Sequence, residues 1–174
     1  MKNLLELEAH DGNGDVRVVV EVPRGSKAKF RYDLDTEAFT LQRVLPEGRY
    51  PYDWGFVPGT LASDGDPLDA MVIHEQGTWP GAIIPSVVIG ALRINETKEA
   101  ERRRNDRILV VPAADPRLQS VEQLSPDQKR ELERFLVTTG ELAGKSVESD
   151  GWAGPRQALD LIAAAIDARR RKRS

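Results

Sequence analysis

Three aspartates lie within six residues in the segment 64–69, whose sequence is Asp-Gly-Asp-Pro-Leu-Asp. In an extended chain Asp64 and Asp66 point to the same side, because side-chain direction repeats every two residues. The glycine and proline of the segment then bend the chain, so Asp69 can return to that side. Three neighbouring carboxylates repel one another unless a cation lies among them. Hard oxygen ligands without Cys or His partners suit Mg²⁺ or Mn²⁺ better than zinc.

A simple polar turn is the alternative interpretation, since Asp-Gly and Asp-Pro are common turn dipeptides. A calcium-binding EF-hand loop fits poorly. Its sixth position requires glycine, whereas the sixth residue counted from Asp64 is Asp69. Taken alone, the segment leaves a metal site and a turn both open.

The preceding residues add a longer pattern, because residues 50–61 are Tyr-Pro-Tyr-Asp-Trp-Gly-Phe-Val-Pro-Gly-Thr-Leu. With the acidic segment that follows, they closely resemble the signature of soluble family I inorganic pyrophosphatases. The resemblance extends from about Glu21 to Gly154 and is strongest between Lys29 and Val72. It implies Mg²⁺-dependent hydrolysis of inorganic diphosphate to two phosphates, with Mn²⁺ as a possible substitute. It also implies a small closed barrel, similar to an OB-fold, with flanking helices.

The resemblance assigns a role to each aspartate of the segment. Asp64 and Asp69 match metal ligands of the family, and Asp66 matches a metal-contacting carboxylate that acts as general base on water. Hydrolysis of a phosphoanhydride requires such parts, because metal ions neutralise the phosphate oxygens and a base must take the proton of the nucleophile.

The same resemblance matches Lys29, Arg43 and Arg107 to cations that bind the substrate phosphates, and Glu21 to an acidic active-site residue. An isolated lysine or arginine on a strand is usually a surface charge. Their spacing relative to the aspartates is what indicates a functional role here.

Several positions depart from the family pattern. Arg31 stands where the family has an acid, and Trp54 stands where it typically has tyrosine. The family's two downstream metal-ligating aspartates correspond to Glu96 and Asn105, within a longer hairpin, and the adjacent Asp106 offers a compensating metal ligand. The family's later Tyr-Lys pair corresponds to residues 139–140, which are Thr-Gly.

These departures leave two alternative functions open. One is hydrolysis of another phosphoanhydride or a phosphoester, since the altered positions lie where the substrate would be recognised. The other is a catalytically weak binding protein that keeps the fold. Nucleic acid is not expected as the partner. A barrel that binds nucleic acid needs aromatic side chains on which the bases stack, and only 6% of the residues are aromatic.

Other patterns carry less weight. The arginines at 102–104 and the basic run 169–173 are typical of solvated surfaces, although the first lies near the candidate site and suggests phosphate steering. Residues 140–146 look like a phosphate-binding P-loop but are one residue short of it. His10 and His74 have no ligand spacing that would indicate zinc.

The bulk properties favour one soluble domain spanning residues 1–174. Net charge is −3 and there is no cysteine, which excludes disulfides and fits a reducing cytoplasm. The acidic start is unlike a signal peptide, and the longest apolar run, residues 83–92, is too short to span a membrane. The resemblance adds an expectation of a homo-oligomer, commonly a hexamer.

The hydrophobic periodicity predicts an α+β domain in which short strands precede two helices. Strands are predicted over residues 3–10, 16–22, 29–34, 39–45, 70–73, 83–94 and 108–111, with the first two forming a hairpin and with residues 96–107 forming a polar hairpin tip. Ser125 followed by proline predicts the start of the first helix, and Gly154 followed by proline predicts the start of the second.

Overall fold

The computed structural model describes residues 3–174, which form two sheets and two α-helices. The strands are β1 (Val16–Val22), β2 (Ala28–Asp33), β3 (Ala38–Val44), β4 (Asp53–Phe56), β5 (Asp69–Val72), β6 (Ile83–Lys98), β7 (Glu101–Arg104), β8 (Arg107–Pro112) and β9 (Ser146–Ala153). The helices are α1 (Pro126–Leu142) and α2 (Pro155–Arg173), and short 3-10 turns span Leu4–Glu6 and Val121–Gln123.

Strand β6 organises the larger sheet. The order of that sheet is β1-β4-β5-β8-β6-β7, with β9 added to β6. Because β6 is 16 residues long, it pairs along its length with β1, β8, β7 and β9, while β5 and β8 form the parallel pair. A Cβ at Gly90 would lie 2.4 Å from the carbonyl oxygen of Ala153, so only glycine lets β9 approach β6 this closely.

Strands β2 and β3 form a separate two-stranded sheet, in which Lys29 lies opposite Arg43. The register shifts between Lys29 and Phe30. The hairpin thus carries two predicted phosphate-binding cations side by side on one pair of strands.

The two helices begin as the sequence predicts and pack on different parts of the core. Ser125 caps α1 in a capping box with Gln128, and Leu132 and Leu136 of that helix are buried. Helix α2 buries Ala158 and Ile162 in the cluster that also contains Ala91 of β6. Among residues 3–174, the helices lack the combined length and apolar character needed to cross a membrane.

The α+β class and most of the predicted strands are confirmed. The prediction of a strand over residues 3–10 is wrong. Asn3 caps a 3-10 turn by accepting a hydrogen bond from the Leu5 amide, and only His10 bridges Val16. The predicted polar tip over residues 96–107 is also shorter than expected, because β6 continues to Lys98. Glu99 and Ala100 make the turn with positive φ of 50° and 65°.

Candidate active site

A cavity of about 940 Å³ opens between the β2–β3 sheet, the 64–69 segment, β6 and the end of α1. Its wall contains every candidate site residue predicted from the sequence except Asp106. These residues are Glu21, Lys29, Arg43, Asp64, Asp66, Asp69 and Arg107. The fold therefore gathers residues that are up to 86 positions apart around one space.

The acidic segment is held in place by hydrogen bonds of the preceding loop. The Thr60 hydroxyl donates to the Val57 carbonyl at 2.6 Å and accepts from the Leu68 amide at 3.0 Å. Within the segment, the Asp66 amide donates to the Asp64 carboxylate at 3.0 Å. Gly65 has φ +90°, a conformation that L side chains rarely adopt, and this turn sets the aspartates at the cavity.

Asp66 lies at the open edge of the cavity. Its carboxylate accepts a hydrogen bond from Arg31 Nη2 at 2.7 Å, and the side chains of Asp66 and Arg31 are 53% and 52% exposed. Where the family resemblance implies an acid, this chain therefore places a cation beside the carboxylate predicted to be the general base.

Asp64 and Asp69 face the inner side of the cavity. Asp64 Oδ2 accepts from Asn105 Nδ2 at 3.2 Å, and Asp69 Oδ2 lies 3.1 Å from Arg107 Nη1. Burial raises the pKa of Asp69, and the negative charge of Asp64 adds to this rise while Arg107 opposes it. A cation bound between these carboxylates would relieve the cost of ionising them.

Glu96 of β6 accepts hydrogen bonds from three side chains of the cavity, and these four residues are called the inner wall. It accepts from Arg107 Nη2 at 2.7 Å, Lys145 Nζ at 2.9 Å and Asn105 Nδ2 at 3.2 Å. Burial disfavours its ionised form, but these donors, Arg107 first, outweigh burial and lower the pKa of Glu96. Glu96 is therefore held as a carboxylate by protein groups alone.

Arg107 is fixed from three directions. It bridges Asp69 and Glu96, donates to the Asn105 carbonyl at 2.7 Å, and stacks with its Cζ 5.3 Å from the centroid of the Trp54 ring. The indole that replaces the family's phenol thus contributes a cation–π contact in place of a hydroxyl. Within residues 3–174, Nε of Arg107 is buried without a hydrogen-bond partner.

Lys29 and Arg43 of the two-stranded β2–β3 sheet line another part of the same cavity. Burial lowers the pKa of Lys29, with the neighbouring Arg43 acting in the same direction and Asp69 opposing it. Glu21 accepts from the Tyr32 amide at 2.8 Å, and burial raises the pKa of Glu21 to about 7. Glu21 is therefore a partly buried acid within the electrostatic influence of Lys29.

Asp106 does not join the site. Its Oδ1 accepts from the Ile94 amide at 3.0 Å and from Arg104 Nε at 2.6 Å, so it bonds to the interior of β6 and faces a different surface. The side chain beside Asn105 therefore does not supply the carboxylate that Asn105 lacks.

The arginines of the 102–104 run are paired with acids. Arg102 contacts Glu148, and Arg103 contacts Glu101. Arg104 contacts both Asp106 and Asp150. These ion pairs offset the positive charge that a phosphate-steering surface would need.

Lys145 is the site residue that the sequence analysis missed. It lines the cavity, and its amide donates to the Gly140 carbonyl at 2.9 Å across a turn at Gly144, where φ is +73°. Thr139 and Gly140 also line the cavity but bring no cation to it. The sequence does offer one signal for Lys145. It follows five residues after Gly140, the position at which the family resemblance implies a lysine.

The oxygen donors of the cavity fit a hard metal ion only in part. Asp64 and Asp66 offer hard oxygen ligands, which suit Mg²⁺, and the exposed pair between Asp66 and Arg31 is readily exchanged. However, within the described part of the chain no three acidic or histidine side chains converge closely enough to hold a metal ion. The aspartate segment fits a hard cation in its chemistry, whereas the inner wall at Glu96 is already neutralised.

A family model, a relative and two solved structures that match this chain are all inorganic pyrophosphatases. A family model described as inorganic pyrophosphatase matches residues 18–170. The inorganic pyrophosphatase of a Synechocystis species is 39% identical over 164 residues, covering 92% of this chain and 95% of that protein. The crystal structure of inorganic pyrophosphatase from Thermus thermophilus aligns with a TM-score of 0.88 and 36% identity, covering 97% of this chain and 99% of that one. A pyrophosphatase from Helicobacter pylori aligns with a TM-score of 0.84 and 27% identity, over 94% and 98% of the two chains.

Proposed function

This chain belongs to the inorganic pyrophosphatase family and is an inorganic diphosphatase, and we propose that Asp64, Asp66 and Asp69 carry its reaction together with Mg²⁺. The family implies a divalent metal cofactor. Mg²⁺ is the ion proposed here, with Mn²⁺ as a substitute, because the donor set consists of hard oxygens. The single observation that carries the proposal is that three aspartates of one segment and the cations Lys29 and Arg43 line the same cavity.

The proposed chemistry divides the work between the two walls. When bound, the metal ion supplies charge neutralisation of the phosphate oxygens and acidification of water. Asp66, which is half exposed at the open edge, takes the proton of the attacking water as general base. Asp64 and Asp69, which line the same cavity, would hold the metal ion.

The phosphates are held by cations from three strands. Lys29 and Arg43 lie in register on β2 and β3 and present adjacent positive groups to one end of diphosphate. Arg107 adds a third cation from β8, already oriented by Trp54. Glu21 assists as an acid that accepts from the Tyr32 amide and so anchors the hairpin to β1.

Phosphate release from diphosphate tests the proposal directly. Release is measured with and without Mg²⁺ for the wild type, for Asp66→Asn, and for the control Asp35→Asn in an exposed turn. Loss of the general base should reduce kcat by at least about 10²-fold, whereas the control should keep full activity. Full activity in Asp66→Asn would contradict the proposed mechanism.

The same assay separates the alternative functions. A panel of triphosphate and nucleotides, measured beside diphosphate, distinguishes a hydrolase of another phosphoanhydride or phosphoester. Absence of release from every substrate by the wild type would instead support a binding role.

We further propose that β1, β4, β5, β8 and β6 close into a five-stranded barrel within a single domain. The support is that β1 pairs with β4 on one side and with β6 on the other, so the pairings return to their starting strand.

The resemblance to the family also supports a homo-oligomer, a hexamer by analogy, and light scattering tests this. A cytoplasmic location is proposed because the chain has no cysteine.

A further inference from the structure

Both oxygens of the Glu96 carboxylate are used by protein donors. Arg107 donates to Oε1, while Lys145 and Asn105 share Oε2. Only 8% of the surface of Glu96 is exposed. A metal ion that used this carboxylate as a ligand would have to displace two cationic side chains from a buried position.

The Asn105 side chain explains how two neighbouring carboxylates coexist there. Its Nδ2 lies 3.2 Å from Asp64 Oδ2 and 3.2 Å from Glu96 Oε2, and an amide nitrogen has two hydrogens to donate. An aspartate at position 105 would place a third carboxylate in this gap, and the repulsion would favour a bound cation. The amide therefore provides the bridging that a cation would otherwise provide.

The negative charge of Glu96 is balanced without a metal ion. The carboxylates of Asp69 and Glu96 face the guanidinium of Arg107 and the ammonium of Lys145. Arg107 touches both carboxylates, and Lys145 touches Glu96. No carboxylate of this group is left without a positive partner.

Glu96 has two cationic partners, Arg107 and Lys145. The packing around Gly140 explains why the second of them is Lys145 and not a side chain at position 140. A Cβ at position 140 would lie 2.2 Å from Cγ2 of Val147, so a side chain there meets the neighbouring strand. The turn that follows brings Lys145 back to this place, with its amide bonded to the Gly140 carbonyl. Its side chain is 32% exposed, which leaves the ammonium accessible from the cavity.

We propose that Arg107, Lys145 and Asn105 replace a metal ion on the inner wall, so that Glu96 positions two phosphate-binding cations instead of ligating metal. The divalent ion is then confined to the segment that carries Asp64, Asp66 and Asp69. Lys145 is a further substrate-binding residue, and Glu96 is a positioning residue. This inference rests on the proposed diphosphatase function, because it assigns the phosphate contacts of that same site.

The number of metal ions bound per chain tests the inference without any turnover. Isothermal titration with Mn²⁺ in the absence of substrate is made on the wild type, Asn105→Asp, Glu96→Gln and the exposed control Glu99→Gln. Asn105→Asp should bind one more ion than the wild type, because it restores a carboxylate to the gap. Glu96→Gln and the control should bind the same number as the wild type.

The opposite pattern would overturn the inference. If Glu96→Gln loses one ion, Glu96 is a metal ligand, and if Asn105→Asp gains none, the amide does not stand in for a cation site. Circular dichroism confirms folding of each variant, and the two variants give independent answers. Failure of the diphosphatase function is distinguishable, because it shows as a wild type that binds Mn²⁺ and Mg²⁺ without releasing phosphate.

Lys145 is tested by steady-state kinetics on diphosphate. Lys145→Ala should raise KM by about tenfold or more, as loss of a charged hydrogen bond to a phosphate does. Lys145→Arg should restore most of the affinity, because it returns a cation to the same wall. An unchanged KM in Lys145→Ala would remove Lys145 from the substrate-binding set.

Discussion

Arg31 Nη2 lies 2.7 Å from a carboxylate oxygen of Asp66, across the mouth of the candidate active site. The pair joins the small sheet to the acidic segment, and each side chain is about half exposed. Asp66, the proposed general base, is therefore paired with Arg31 of the same chain. We therefore expect a metal ion that contacts Asp66 to compete with Arg31 for this carboxylate.

Arg31→Ala should lower the metal concentration needed for half-maximal activity. Exposed ion pairs contribute up to about 1 kcal/mol, so the decrease should be at most about fivefold. A titration of Mg²⁺ at fixed diphosphate measures the change. Arg31→Lys keeps the charge and should stay close to the wild type, and an increased metal requirement in Arg31→Ala would contradict the competition.

Glu21 should make the metal-free protein less stable as pH rises. Burial raises the pKa of Glu21 from 4.5 to about 7, so the folded state binds its proton more tightly than the unfolded chain. The resulting stabilisation is fully present below pH 4.5 and is lost as pH rises through about 7. Glu21→Gln removes this titration and keeps an acceptor for the Tyr32 amide.

Urea unfolding at pH 5 and pH 8, in the presence of EDTA, measures the effect on both proteins. The free energy of unfolding should fall less between these pH values in Glu21→Gln than in the wild type. Equal losses in the two proteins would show that Glu21 titrates normally in the fold.

The buried Asp53 is predicted to support stability and not catalysis. It accepts from His74 Nε2 at 2.5 Å and from the Arg24 amide at 2.7 Å, and it lies outside the cavity wall. Asp53→Ala leaves these donors without an acceptor, at about 1–3 kcal/mol for each buried group. Thermal unfolding measures the loss. The kcat of the variant should match the wild type at temperatures where it is folded, and a stable variant with reduced kcat would contradict the assignment.

Gly55 is predicted to be indispensable to the pairing of β1 with β4. A Cβ at this position would lie 1.9 Å from the Val19 carbonyl oxygen, and a backbone atom cannot move aside as a side chain can. Gly55→Ala should therefore cost at least about 3 kcal/mol in unfolding free energy. Gly12→Ala is the matched control, since no atom lies within 4 Å of its added Cβ. Chemical denaturation of both variants decides the point.

Local patterns in the sequence predicted the helices and most strands because those elements follow simple rules. The capping box at Ser125 and the alternation from Lys29 to Leu34 both predicted elements that the structure contains, although the strand ends at Asp33. Strand β9 was missed because its residues are mostly polar and exposed, and only its pairing with β6 makes it a strand. Pairing between distant segments has no local signature.

The candidate site was predictable where type and spacing coincide, as in the 64–69 segment. The partners of each charge were not predictable. Lys145 reaches Glu96 across 49 positions of the sequence, and Asn105 reaches Asp64 across 41. Asp106, adjacent to Asn105 in the link between β7 and β8, instead accepts from the Ile94 amide and lines a different surface. Proximity in the sequence therefore did not indicate which of these two side chains lines the cavity.

Gly140 links the space at the end of α1 to the packing of Val147. Because Val147 Cγ2 occupies the space that a side chain at position 140 would enter, a lysine fits there only if Val147 also changes. Val147 must first become smaller or change rotamer, and that residue packs against the core cluster formed by α1 and β6. A larger side chain at position 140 therefore has a cost beyond that position, because the core contact of Val147 must change with it.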